Sequence, residues 1–231
     1  MSSEIKANKI SPATGTAFTL GDSGDTFSVP SGVTLTNNGS SSGFDSGLAS
    51  VQTFTSSGTW TKPSGITKVI VEVIGGGGGG GSSTSSTNTA GGGGGGGAYA
   101  RKLFDVSSVS SVSVTIGSGG ASQAAGGASV FSTVTANGGG AGTAGNTGGG
   151  WSDTATATGG DINIKGTRGA EKINANVGGI GGASYFGSSD VTNTASDTVT
   201  VYGAGGWGAD GTTDANGAAG ASGIVIVTEY K

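Results

Sequence analysis

Two runs of seven glycines, at 75–81 and 91–97, set the tightest limit on what this chain can fold into. Glycine costs about 0.5–1 kcal/mol more than alanine to order in a helix or strand. Of 53 glycines in 231 residues, 44 lie between Gly75 and Gly223. Ordering them conventionally would cost roughly 20–40 kcal/mol, against a typical net stability of about 5–15 kcal/mol. Two readings remain. The tracts are flexible Gly/Ser linker, or they adopt a backbone that only glycine allows. Collagen is excluded, because no strict Gly-X-Y period exists and the chain holds 3 prolines.

The ordered alternative is the extended left-handed helix with three residues per turn, packed side by side and hydrogen-bonded laterally. The long tracts match in length and alternate with aromatics and strand-like runs, which favours order. Seven glycines span about 22 Å in this form. Residues 75–81 and 91–97 are then expected to lie antiparallel, with 82–90 as the turn.

Around the tracts the pattern is all β. Residues 69–74 are β-branched on both faces except at Glu72, as in a strand buried on both sides. The run 224–230 has the same character and is its expected mate, the two closing a sandwich around the intervening chain. Further strands are expected at 51–54, 99–106, 112–116 and 129–134, the last as one short run. Gly58-Thr59-Trp60-Thr61-Lys62-Pro63 makes a corner with Trp60 packed beneath it. Residues 1–48 read differently: three-residue alternations at 18–20, 27–29 and 33–35, punctuated by Gly21–Asp25 and Pro30-Ser31-Gly32. Such short strands bury no core alone, so this segment is read as an attachment end. The division is 1–48, attachment and trimerisation, and 49–231, a glycine-rich domain. The expected class is all-β, a sandwich-like domain containing polyglycine II-type helices.

Lys and Arg total 10 and Asp and Glu 14, and no basic residue falls between Lys102 and Lys165. A nucleic-acid partner requires a basic stripe, and none exists. The chain lacks Cys and His, which removes thiol chemistry, disulfides and the commonest metal ligand and general base. No cofactor or metal is expected, nor membrane insertion, since the longest apolar runs are far shorter than a span. The polar start after Met1 shows no signal-peptide pattern.

Chemical motifs dissolve on inspection. Gly-x-Gly-x-x-Gly is trivial inside polyglycine, and no Gly-Lys-Ser/Thr follows. Gly205-Gly206-Trp207-Gly208-Ala209-Asp210 begins like a calcium-binding nonapeptide, but Thr212 replaces the large apolar residue and no second copy follows. The carboxylates of Asp153, Asp161, Asp190, Asp197, Asp210 and Asp214 are scattered singly, unlike a glycosidase pair. The chain is read as a non-enzyme.

The segment Phe54-Thr55-Ser56-Ser57-Gly58-Thr59-Trp60-Thr61-Lys62-Pro63, followed by 69–74 running into polyglycine, resembles the opening of the glycine-rich domain of bacteriophage tail-fibre and receptor-binding proteins. The close, Gly220-Ala221-Ser222-Gly223-Ile224-Val225-Ile226-Val227 with Tyr230, resembles that domain's last strand. The internal motifs Gly159-Gly160-Asp161-Ile162-Asn163-Ile164-Lys165-Gly166 and Gly181-Gly182-Ala183-Ser184-Tyr185-Phe186-Gly187 are similar too. Residues 5–12 resemble the leading segment of marine phage fibre proteins. The likeness implies a virion adhesin at the fibre tip, homotrimeric, made in the host cytoplasm. It would dock on other tail proteins through 1–48 and contact a bacterial surface polysaccharide or outer-membrane protein. A purely structural fibre or decoration subunit is the first alternative, and a Gly-rich ice-binding protein the second.

Bare glycines offer no side chains for recognition, so contact is expected on loop aromatics. Trp151 and Trp207 each sit beside glycines and either cover a glycine surface or stand exposed to stack on sugars. Tyr185 and Tyr202, with Phe186, are secondary candidates that read more readily as core.

Overall fold

The structure is a computed structural model describing residues 26, 28–34, 36, 47–83, 89–145, 155–188, 199–211 and 216–231. Its backbone divides into two units, Met1–Asp45 and Ser46–Lys231. In the first, Val33 N–H donates to the Pro30 carbonyl (3.2 Å), closing a turn that needs the positive φ of Gly32 (83°). The strands expected at 18–20, 27–29 and 33–35 fall wholly or partly outside the described residues.

The second unit is all β. Its strands are β1 Leu48–Phe54, β2 Gly58–Thr61, β3 Lys68–Ile74, β4 Tyr99–Asp105, β5 Ser111–Thr115, β6 Ser129–Phe131, β7 Val134–Ala136, β8 Ala157–Thr158, β9 Ile162–Ile164 and β10 Ile224–Tyr230. They form two antiparallel sheets, β1-β10-β3-β4-β9 and β2-β5-β6-β7-β8. Strands β3 and β10 pair in full register from Ile74↔Ile224 to Lys68↔Tyr230, as their shared β-branched composition demands. The run 129–134 is not one strand but a hairpin. It reverses after Phe131, with Ser132 at φ 52°, so that Phe131 lies opposite Val134. The alternation hid this because both arms present apolar residues inward.

Between the sheets lie Trp60, Val69, Val71, Val73, Phe131, Val134, Val225 and Val227, all buried. Trp60 and Phe104 each tilt against Phe131, with ring centroids 5.9 and 5.7 Å apart. Position 229 breaks the apolar rule. Glu229 is fully buried, and its carboxylate accepts from Trp60 Nε1 (2.7 Å), Gln52 Nε2 (2.7 Å) and Ser50 Oγ. Three donors from two other strands replace the water that a buried charge loses.

The glycine tracts do not lie inside the sandwich. They continue β3, lead into β4 and lead into β10, so they extend from one end of it as a bundle of polyglycine II helices. Residues 75–81 form the central helix. Gly75, Gly78 and Gly81 donate to Ala98, Gly95 and Gly92 (3.0, 2.8 and 2.8 Å). The partner falls by three as the donor rises by three, which is the antiparallel pairing of two three-fold helices. The intervening residues serve other neighbours: Gly76 and Gly79 donate to Gly127 and Ala124, Gly77 and Gly80 to Ala221 and Ala218. In return Gly139, Gly120 and Gly206 donate to the carbonyls of Gly76, Gly77 and Gly78. Six segments thus surround one helix, and every N–H of 75–81 and every carbonyl from Gly76 to Gly81 has a partner without a conventional ladder.

Glycine content follows from this crowding. A Cβ on Gly78 would overlap the Gly140 carbonyl oxygen, and one on Gly80 that of Trp207. Segment 178–183 reads Gly-Gly-Ile-Gly-Gly-Ala, with half-buried Ile180 and Ala183 in the one row that glycine leaves. Segment 217–223 keeps glycine only every third residue, and its Ala219 and Ser222 are exposed.

Candidate functional site

At the end of the bundle away from the sheets, the chain reverses repeatedly. The described flanks of these reversals are 82–83 and 89–90, 121–124, 144–145, 171–177, and 210–211 with 216–217. They hold one another. Ser82 carbonyl accepts from Gly145 N–H (2.9 Å), and Ser82 Oγ accepts from Gln123 Nε2 (2.6 Å). Ala90 N–H donates to the Ala175 carbonyl and Gly211 N–H to that of Asn176 (both 3.2 Å). Gly217 N–H donates to Ser122 Oγ (3.0 Å). Five segments from distant parts of the sequence therefore share one hydrogen-bonded platform.

The turn 171–177 is the most developed. Asn174 Oδ1 accepts from the N–H groups of Asn176 (2.8 Å) and Val177 (3.0 Å), an Asx turn that fixes the backbone. Ile173 N–H donates to Val177 carbonyl (3.0 Å), and the Ile173 side chain is 58% exposed. Gln123, Asn174, Asn176 and Asn216 are exposed around this end. The chemistry is polar: amides and hydroxyls that donate and accept, beside the charged side chains of Glu171, Lys172 and Asp210, with exposed Ile173 among them. Such a surface can hydrogen-bond polyhydroxyl or peptide groups.

Of the four aromatics expected as contacts, three are described, and Trp207 is not brought together with Tyr185 and Tyr202 on one exposed surface. Trp151 lies outside the described residues. Trp207 does not stand exposed on a loop: it is 5% exposed, within the helix 203–209, whose backbone N–H groups at Gly206 and Ala209 donate to Gly78 and Gly81. Of its two readings, the covering one holds. Tyr185 and Tyr202, together with Phe186, are surface residues rather than core. They lie at the base of the bundle, beside the sheet. Ser184 and Gly187 exchange both backbone hydrogen bonds (2.8 and 3.2 Å), making a tight turn that displays Tyr185 and Phe186. Ser184 Oγ donates to the Tyr202 carbonyl (2.6 Å). Tyr185 is 54% exposed and stacks on buried Tyr99 at 3.9 Å with 19° between the rings. Burial holds the Tyr99 phenol well above its usual pKa, helped by its hydrogen bond to Glu72 Oε1 (2.7 Å) and that carboxylate's charge.

Sequence reasoning missed Ile173 and the asparagines around it. The available signal was an apolar residue and an Asn-x-Asn pair set between two glycine segments, Gly169 and Gly178. Among the described residues no three His, Cys, Asp or Glu side chains are grouped to hold a metal ion.

Compared with curated proteins, the sequence matches none. Its residues 49–230 match the model of the glycine-rich domain, the span that contains both sheets and the whole bundle. With that match covering most of the chain, the protein belongs to the glycine-rich domain family.

Proposed function

We propose that this chain is a non-enzymatic virion protein at the tip of a phage tail fibre, and that it recognises the host-cell surface through the far end of its polyglycine bundle. The observation that carries this reading is the convergence of five segments on one hydrogen-bonded platform. Beneath it stands a rigid body with almost no side-chain chemistry. A lattice so intolerant of side chains confines sequence variation to its turns, which suits a scaffold whose contact surface must change. Bacterial polysaccharide or an outer-membrane protein is the ligand, met by the amides and by Ile173. Segment 1–48 attaches the protein to other tail components, and the assembly is a homo-oligomer formed after synthesis in the host cytoplasm.

Fluorescently labelled protein should bind host cells saturably. The variant carrying Ile173→Asp and Asn176→Arg should bind at least tenfold more weakly while keeping the wild-type melting curve. Saturable binding that the double variant leaves unchanged would remove the far end from the reading. No binding at all would favour the purely structural subunit.

A further inference from the structure

Side-chain alternation divides the sheet β1-β10-β3-β4-β9 into two faces. One packs on the other sheet. The second carries Leu48 and Val51 of β1, Ile226 and Tyr230 of β10, Ile70 of β3, Leu103 of β4, and Ile162 and Ile164 of β9. Large exposed apolar residues of the second unit gather there. Leu48, Val51, Leu103, Ile162 and Ile164 are exposed on the face, and Tyr185, Phe186 and Tyr202 extend it; Ile173 alone lies elsewhere among the described residues. Exposed apolar groups scattered singly carry no meaning, whereas a contiguous patch marks an interaction surface.

We infer that this face is where copies of the chain meet. Its charges argue for self-association over other partners. In register, Glu72 lies opposite Arg101, and Lys68 opposite Asp105. A face with both signs in balance suits neither a polyanion nor a polycation, but it can pair with itself, cations of one copy meeting carboxylates of the next. Arg101 makes no side-chain hydrogen bond or ion pair among the described residues, so its guanidinium is free to do so.

The area is adequate. Five strands about 4.8 Å apart and up to seven residues long at about 3.4 Å per residue give roughly 500 Å² per copy. Two such faces, with the Tyr185–Phe186 turn added, approach the lower bound of about 1,200 Å² for specific interfaces. A socket is also present: a shallow cavity of about 210 Å³ lined by Ile70, Arg101, Leu103, Asp161 and Ile162. Its apolar walls and charged mouth fit an anchoring side chain from the neighbouring copy.

This inference rests on the homo-oligomer of the proposed function and goes further by locating its contact. The full-length chain should sediment at a multiple of the single-chain mass at micromolar concentration. The variant Leu103→Asp with Ile162→Asp should sediment as a single chain, its circular dichroism unchanged, because both side chains are half exposed (52% and 46%) in one copy. A wild-type protein that sediments as a single chain overturns both the oligomer and the inference. An oligomer that survives the double substitution overturns the inference alone. The chain has no cysteine, so a thiol placed by Leu103→Cys is its only one and checks the same surface without disrupting it. Maleimide should label that thiol at least tenfold more slowly than a Thr133→Cys thiol in the assembled protein; equal rates would place the contact elsewhere.

Discussion

The indole N–H of Trp60 donates to the Glu229 carboxylate at 2.7 Å, and both residues are completely buried. The bond crosses from one sheet to the other, tying the corner before Pro63 to the last strand. Replacing the ring by Trp60→Phe removes the donor and leaves the carboxylate with only Ser50 and Gln52. Hydrogen bonds to charged groups contribute about 1.5–3 kcal/mol, and a small void adds to the loss. A drop of about 2–4 kcal/mol in urea-unfolding stability is expected; a change under about 0.5 kcal/mol would show that the bond contributes little.

The bundle predicts sharply different costs for the same substitution at two glycines. Gly78→Ala forces a methyl into the Gly140 backbone, with no flexible side chain to yield. Gly58 in β2 has open space around its missing Cβ. Gly78→Ala should cost about 3 kcal/mol or more, and Gly58→Ala no more than about 1 kcal/mol in either direction. Paired thermal melts check this, and equal melting temperatures would contradict close packing around the central helix.

Tyr99 predicts the alkaline behaviour of the fold. Its phenol is held above the ordinary value in the folded state, first by burial and then by Glu72. A raised folded pKa means that the unfolded chain loses this proton first. The tyrosine's contribution is therefore complete below the ordinary tyrosine value of about 10 and falls as pH rises from there. Wild-type stability should decline more steeply above pH 10 than that of Tyr99→Phe, measured by denaturation across that range. Parallel slopes would place the effect on other groups.

Tyr185 lies at the base of the bundle, and its stacking on Tyr99 gives it a packing role. Tyr185→Ala should lower stability by about 1–2 kcal/mol, from the lost ring pair and buried area. Host-cell binding by the far end should survive this change. Loss of binding with stability intact would move recognition to the base.

Much of this architecture was legible, and the reason is steric. Seven consecutive glycines at 75–81 and 91–97 mean that all three rows of an extended helix face neighbours, which requires a central position. The composition of 69–74 and 224–230 announced strands, and they pair in full register, but only one face of each is fully buried; Ile70 and Ile226 on the other are half-buried. What escaped notice were the outer helices. In 203–209 and 217–223 one or two rows carry Ala, Ser or Trp, so the same backbone looks like an ordinary small-residue loop. Trp207 illustrates the difficulty: glycines on either side permit exposure or burial equally, and only its neighbours in space decide. The platform at the far end was illegible for a related reason. Ser82, Ser122, Asn176 and Gly211 are far apart in sequence and meet only because the bundle brings its turns to one level.

The proposed tail-fibre role assigns this chain to a phage, and adsorption of that phage, measured as the rate at which free virions disappear in the presence of host cells, tests the proposal most directly. Cells pre-incubated with saturating purified protein should adsorb virions at least tenfold more slowly, and cells pre-incubated with the Ile173→Asp, Asn176→Arg variant should adsorb at the normal rate. An adsorption rate unaffected by saturating wild-type protein would contradict host recognition by this chain.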